Sequence, residues 1–176
     1  SDVSGFWGPY PNALNDGRWL VECGQVAAGS MLNWLAGEMF GLDAAGHAAL
    51  IADVAANPSR SEGLLALDYM MGNRTPYRDA ALRGALMGLT LGHTRTDVYA
   101  ASIDSIALGS ANVLSVLKAR GVSVDRVMMA GGIVKNAAWL QATVDAIGQP
   151  VQVAREDNLS LVGTAAAAAA AIGEFP

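Results

Sequence analysis

The chain has 176 residues, which corresponds to one domain or to part of a larger protein. Hydrophobic residues make up 52% and charged residues 15%, which is enough apolar material for a core. The net charge is −5, and an acidic chain without basic clusters argues against nucleic acid and anionic membrane surfaces as partners. The single cysteine, Cys23, excludes an internal disulfide framework and a multi-cysteine metal site, and it favours a reducing, cytoplasmic location.

The hydrophobic pattern predicts strands that alternate with helices after an irregular start. Residues 1–16 are rich in Gly, Pro, Asn and Ser and predict irregular structure, with Phe6, Trp7 and Tyr10 as packing anchors. In chain order, the elements predicted next are strand 18–22, helix 26–40, helix 44–56, strand 63–70, polar loop 71–83, a short strand or turn at 84–91, helix 96–120, strand 127–130, helix 134–147, strand 150–153 and helix 161–172. This alternation predicts an α/β layered architecture.

No segment has the features of a membrane anchor or a signal peptide. The alanine run 165–171 is too short and too weakly apolar to span a bilayer, and no basic region followed by an apolar segment opens the chain.

On the predicted helices, His47 has no obvious partner and is expected to be a solvated surface residue. Asp104 is expected at the edge of an apolar stripe, with a cleft-facing position as the alternative.

The strand at 127–130 runs directly into two glycines and a helix. Gly131 and Gly132 allow close approach of the backbone to a ligand, and a helix start presents free N–H groups. Asn136, four residues after Gly132, is expected one turn into the helix, where its amide offers a donor and an acceptor. The pattern predicts a nucleotide or phosphate site, with a tight α/β connection as the open alternative.

A second glycine–asparagine pair lies near an earlier helix start. Gly29 and Asn33 are four residues apart and share one helix face, where they form either a ligand-facing surface or a small-residue packing seam. Two such pairs could hold an adenosine from opposite sides. An uncharged clamp of this kind suits a base and a ribose better than a triphosphate.

Other catalytic patterns are missing from the sequence. Asp53, Asp68 and Asp79 are spread over a helix, a strand and a loop, so they do not form a paired-carboxylate site. The serines have no credible base, because neither histidine lies in a nucleophile-elbow context. The two lysines do not follow the glycine spacing of a Walker loop. We therefore predict no catalytic residue and no metal ligand in this chain.

Four segments in this order resemble the C-terminal domain of the FGGY carbohydrate kinases, within the actin-like ATPase superfamily. They are ECGQVAAGSMLNWL, GNRTPYRDAALRGALMGLTLGHTR, AGGIVKNAAWLQATVDAIGQPVQV and LVGTAAAAAAAIG. The first and third are similar to the family's adenosine-binding segments. The resemblance thus implies nucleotide contacts by Gly29, Asn33, Gly131, Gly132 and Asn136; Asn33 stands where glycerol kinases carry glutamine.

The resemblance implies a fold, an activity and partners. The expected fold is an actin-like (ribonuclease-H-like) α/β domain over residues 1–176, with a mixed sheet flanked by helices and incomplete at its N-terminal edge. The expected activity is phosphorylation of a sugar hydroxyl by ATP and Mg²⁺ in the cytoplasm, and VSGFWGPYPNALNDGRWLVECGQ with GNRTP looks most like the ribulokinase-type pentulose kinases. A sugar, ATP and an N-terminal FGGY domain of the same protein are the implied partners, and a homodimer is a possible assembly.

The resemblance also implies that the chain is a fragment. In the family, the aspartate that acts as general base, the phosphate-holding Gly-Thr turn and the sugar-binding N-terminal domain precede this segment. The chain would then form the adenosine-binding wall of an interdomain cleft and be inactive alone. The alternatives are a nucleotide-binding regulatory or assembly module of the same superfamily, and a structural α/β domain whose glycines only pack.

Overall fold

The computed structural model describes residues 5–13, 17–58, 60–156 and 158–174. The elements in chain order are β1 (Trp7–Pro11), β2 (Trp19–Glu22), α1 (Ala28–Trp34), α2 (Ala44–Ala56), β3 (Leu65–Leu67), β4 (Ala85–Met87), α3 (Arg95–Ala119), β5 (Val127–Met129), α4 (Ala137–Ile147), β6 (Val151–Val153) and α5 (Leu159–Ala171). A π-helical turn, Leu35–Met39, extends α1, and a 3₁₀ turn, Gly131–Lys135, leads into α4. The predicted alternation of strands and helices is confirmed from residue 18 onward.

The strands of the described residues form three separate two-stranded sheets. β1 pairs with β2 and β3 pairs with β4, both antiparallel, whereas β5 and β6 are parallel. A parallel pair needs a long crossover, which α4 supplies between β5 and β6. The α/β class with pairing of both kinds is therefore confirmed, but the described strands do not join into one continuous mixed sheet.

The core lies between helices rather than under a sheet. Side chains from α1, α2, α3 and α4 form one buried cluster, in which α3 is central because Tyr99, Ile103 and Ile106 are spaced by four and seven residues and share one face. Among the described helices, α3 is the only one that is long and apolar enough on its own to cross a membrane. Packing of its buried face against the other helices accounts for that composition.

The first sixteen residues contain a strand that the sequence pattern does not reveal. The prediction of irregular structure is wrong for β1, which pairs with β2 through a register break between Trp7 and Tyr10. Gly8 lies in that break with φ of +100°, so the two-residue alternation expected of a strand is lost. Of the three predicted anchors, Phe6 is fully buried, Trp7 is half-buried and Tyr10 is exposed.

Helix α5 has no buried residue in the part of the chain that the structure describes. Its start is capped by Asn158, whose side chain accepts a hydrogen bond from the backbone N–H of Leu161. Leu161 is 66% exposed and Val162 48%. The described residues therefore leave the apolar side chains of this helix uncovered.

Candidate functional site

One cavity lies where the first turns of α1, the middle of α2, the N-terminal part of α3 and the turn before α4 meet. Its volume is about 180 Å³, and it is lined by Gly29, Leu32, Asn33, His47, Ile51, Tyr99, Gly132, Lys135, Asn136 and Trp139. Four of the five residues predicted to contact a nucleotide are therefore brought together, from two segments that are about a hundred positions apart in the chain.

The glycines of this cavity leave space that side chains would otherwise occupy. A Cβ on Gly29 would lie 3.7 Å from the indole ring of Trp139, an ordinary contact distance, so packing between α1 and α4 does not require glycine. A Cβ on Gly132 would have no neighbour within 4 Å. The fifth predicted residue, Gly131, does not line the cavity; its φ of +80° shows that the turn itself needs glycine there.

Asn136 lies at the start of α4 as its N-cap, so the expected position one turn into the helix is wrong. Its Oδ1 accepts a hydrogen bond from the backbone N–H of Trp139 at 3.0 Å, and its Nδ2 donates to the hydroxyl of Tyr99 at 3.2 Å. Only 6% of the residue is exposed. The 3₁₀ turn takes up the residues that the periodicity assigned to the helix, which moves the helix start to Ala137.

His47 is a partner of Tyr99, contrary to the expectation that it is a solvated surface residue. Its Nε2 lies 2.7 Å from the Tyr99 hydroxyl, and the two rings meet edge to face with centroids 5.6 Å apart. Tyr99 is completely buried, and burial raises the pKa of its phenol to about 12, so the hydroxyl is protonated at neutral pH. The sequence signal for Tyr99 is its position four residues before Ile103 on the buried face of α3.

The cavity is small and is bordered by two glycines and an aromatic ring. Its volume is below the roughly 300–1,000 Å³ of drug-sized ligand pockets, so it has room for only part of a nucleotide. Trp139, on its wall, carries a buried indole N–H that has no hydrogen-bond partner among the described residues. The two bare glycine positions are the features of this cavity that match the predicted nucleotide contacts.

Acidic groups are not assembled into a metal centre in the described ranges. No three His, Cys, Asp or Glu side chains there are close enough to hold an ion. A larger cavity, about 420 Å³, lies between α2, α3 and α4 and is lined by several alanines together with Asp104 and Asp145. Asp104 thus faces a cleft, where it accepts a hydrogen bond from Ser61, and the two carboxylates would repel a nucleotide's phosphates.

The polar loop 71–83 is fastened to the β1–β2 hairpin. Arg74 forms an ion pair with Glu22 at 2.7 Å, and its guanidinium lies 4.3 Å from the centre of the Trp7 ring. Arg78 stacks on the same ring at 4.7 Å. These contacts fix the loop beside the hairpin, away from the cavity that holds the glycine–asparagine pairs.

Comparison with known proteins places this geometry in a family. The chain is 33% identical to an FGGY carbohydrate kinase domain-containing protein of Xenopus laevis (99% of this chain, 35% of that protein) and 31% identical to a ribulokinase of Mycolicibacterium smegmatis (99% and 32%). It superposes on the crystal structure of xylulose kinase from Rhodospirillum rubrum with a TM-score of 0.72 and 30% identity (80% of this chain, 28% of that one). The chain spans about a third of the length of these relatives.

These structural similarities show the fold class of the chain, which is an α/β domain with the actin-like ATPase fold. The sequence model of the "FGGY family of carbohydrate kinases, C-terminal domain" matches residues 1–172. The chain belongs to the FGGY family of carbohydrate kinases and contains its C-terminal domain, which confirms the resemblance seen in the four sequence segments.

Proposed function

We propose that the protein transfers the γ-phosphoryl group of ATP to a sugar hydroxyl, and that this chain supplies the adenosine-binding wall of the cleft between two domains. The observation that carries the proposal is the convergence of Gly29, Asn33, Gly132 and Asn136 on one small cavity. Family membership supports the reaction class. A pentulose is the favoured sugar, since the relatives of this chain include ribulokinases and a xylulose kinase.

In this proposal the chain binds and orients the nucleotide but does not move protons. Gly29 and Gly132 admit the base, and the amide of Asn136, held at both ends, defines the inner wall. In the family, the aspartate that accepts the hydroxyl proton and the turn that holds the phosphates precede this segment. Mg²⁺, which neutralises phosphate charge in such transfers, finds no ligand cluster among the described residues, so we assign it no residue here.

The chain contributes to the rate of phosphoryl transfer by holding ATP in the correct orientation. Fixing two reactants in a productive geometry can lower a barrier by about 7–11 kcal/mol in well-aligned systems. Since that alignment needs both walls of the cleft, the isolated chain is expected to bind adenine nucleotide weakly and to phosphorylate nothing. The proposed location is the cytoplasm, which the single cysteine favours.

The proposal is tested by calorimetric titration of ATP into the chain and two tryptophan variants. Gly132→Trp places an indole in the cavity and should abolish the binding heat, while Gly37→Trp is the control, because Gly37 also has open space around it but does not line the cavity. Equal heats for the wild type and Gly132→Trp would contradict the site.

The reaction is tested on the whole protein by ADP release with ribulose, xylulose and glycerol. Sugar-dependent ADP release is the expected result. Nucleotide binding without turnover on any sugar would favour the regulatory or assembly module instead, and phosphorylation by the isolated chain would contradict the role assigned to it.

A further inference from the structure

We infer that His47 and Tyr99 are positioning residues of the nucleotide site, which fix the Asn136 amide through a chain of directed hydrogen bonds; the inference rests on the proposed function of that site. The three side chains come from α2, α3 and the start of α4, and all three line the cavity. Their contacts are His47 Nε2 to Tyr99 hydroxyl, 2.7 Å, and Tyr99 hydroxyl to Asn136 Nδ2, 3.2 Å.

The direction of each bond follows from the donors and acceptors present. The backbone N–H of Trp139 can only donate, so it binds the Oδ1 of Asn136 and turns Nδ2 toward Tyr99. The Nδ2–H then donates to the Tyr99 oxygen. The phenol proton needs an acceptor, because Tyr99 is fully buried, and the acceptor within reach is Nε2 of His47.

The tautomer of His47 is thereby determined. With Nε2 accepting, the ring of the neutral imidazole carries its proton on Nδ1. In this chain of bonds, the Asn136 Nδ2–H donates to the Tyr99 oxygen, and the Tyr99 O–H donates to His47 Nε2. Each donor in this chain faces an acceptor, so rotation of the Asn136 amide would leave the Trp139 N–H or the Tyr99 hydroxyl without its hydrogen bond.

This arrangement gives two residues outside the family-like segments a role in binding. His47 stabilises Tyr99 in the orientation that receives the amide, and Tyr99 holds the amide against the cavity. Loss of either partner should loosen the wall on which the base packs. Nucleotide affinity should suffer more than catalysis, because both side chains line the cavity that the proposal assigns to the base.

The first test measures the KM for ATP and kcat of the whole protein and the ATP affinity of the chain. Tyr99→Phe keeps the ring and removes the hydroxyl; it should weaken ATP affinity and raise KM about tenfold, about 1.4 kcal/mol, with kcat changed less than twofold. Tyr77→Phe is the matched control, since Tyr77 is exposed on the polar loop and should behave as wild type. His47→Ala should reproduce the Tyr99→Phe effect.

The second test observes the histidine nitrogens by ¹⁵N NMR in the chain without nucleotide. His47 and His93 are its only histidines, so His93→Gln leaves one ring to assign. The expected spectrum shows a pyridine-like Nε2 and a protonated Nδ1 on His47, with that preference lost in Tyr99→Phe. A protonated Nε2 would overturn the hydrogen-bond chain, whatever the nucleotide result.

The outcomes separate the two proposals. If the wild type binds ATP and the His47 and Tyr99 variants bind it equally well, the positioning role is wrong while the nucleotide site stands. If a correctly folded wild type does not bind ATP, both are overturned. A fall in kcat with unchanged KM would also contradict the positioning role.

Discussion

Replacing Gly29 with alanine separates a ligand-binding glycine from a packing glycine. The added methyl group would lie 3.7 Å from the Trp139 ring, which is an ordinary contact, so α1 can accept it without moving α4. Alanine is favoured over glycine by about 0.5–1 kcal/mol in a helix interior, and Gly29 lies in the first turn of α1, so the free energy of unfolding should rise by up to about that amount.

The same methyl group should weaken nucleotide binding. It would occupy space above the Trp139 ring in a cavity of only about 180 Å³. Crowding of a well-packed site typically costs about 1–3 kcal/mol, which corresponds to a loss of affinity of roughly 5- to 150-fold. The variant should therefore be more stable and bind ATP less tightly.

Urea unfolding and calorimetric titration of the same preparations measure the two effects. Gly37→Ala is the control: its position on the π-helical turn is open and remote from the cavity, so ATP affinity should stay unchanged. A Gly29→Ala variant that is less stable than the wild type would show that α1 and α4 need glycine for packing. A variant that is more stable and binds equally well would refute the nucleotide contact.

Three further predictions concern other parts of the molecule. Gly109→Ala should lower the free energy of unfolding by about 1–3 kcal/mol in urea, because its Cβ would lie 2.2 Å from the Gln25 amide and force it from its hydrogen bonds. Gly131→Ala should lower the free energy of unfolding by about 1–2 kcal/mol in the same assay, because Gly131 has a positive φ. Gly132→Ala should have a free energy of unfolding within about 0.5 kcal/mol of the wild type. Burial raises the pKa of Asp68, so the folded state binds the carboxyl proton more tightly than the unfolded state does. The free energy of unfolding should therefore fall as pH rises from the unfolded-state pKa of Asp68 through its folded-state pKa. Asp68→Asn should remove that fall, and a variant with the same pH profile as the wild type would contradict the prediction.

Local sequence patterns predicted most of the elements after residue 18 and the two glycine–asparagine pairs of the site. Strand–glycine–helix order and i, i+4 spacing are local signals, and they located Gly29, Asn33, Gly132 and Asn136, which line one cavity. The helix start at Ala137 was missed, because a 3₁₀ turn accepts the same residue types as a first helical turn and differs from it in hydrogen bonding and winding. Binding of nucleotide by these residues stays a prediction.

The non-local part of the site could not be predicted. His47 and Tyr99 are 52 positions apart, and nothing in the spacing around either residue encodes their contact. Strand β1 was missed for a different reason: the register break at Gly8 removes the alternation by which strands are recognised. Both failures occur where tertiary packing, rather than local pattern, determines the structure.

The double use of Asn136 limits what can replace it. Serine, threonine and aspartate are good helix caps, but aspartate could bond to Tyr99 only by taking the phenol proton that His47 accepts, and a hydroxyl is too short to span from the Trp139 N–H to the Tyr99 oxygen. Glutamine keeps the amide but moves it one methylene away from the helix end. Asparagine alone therefore begins α4 and completes the cavity wall, so that loosening this helix end and widening the pocket are a single event.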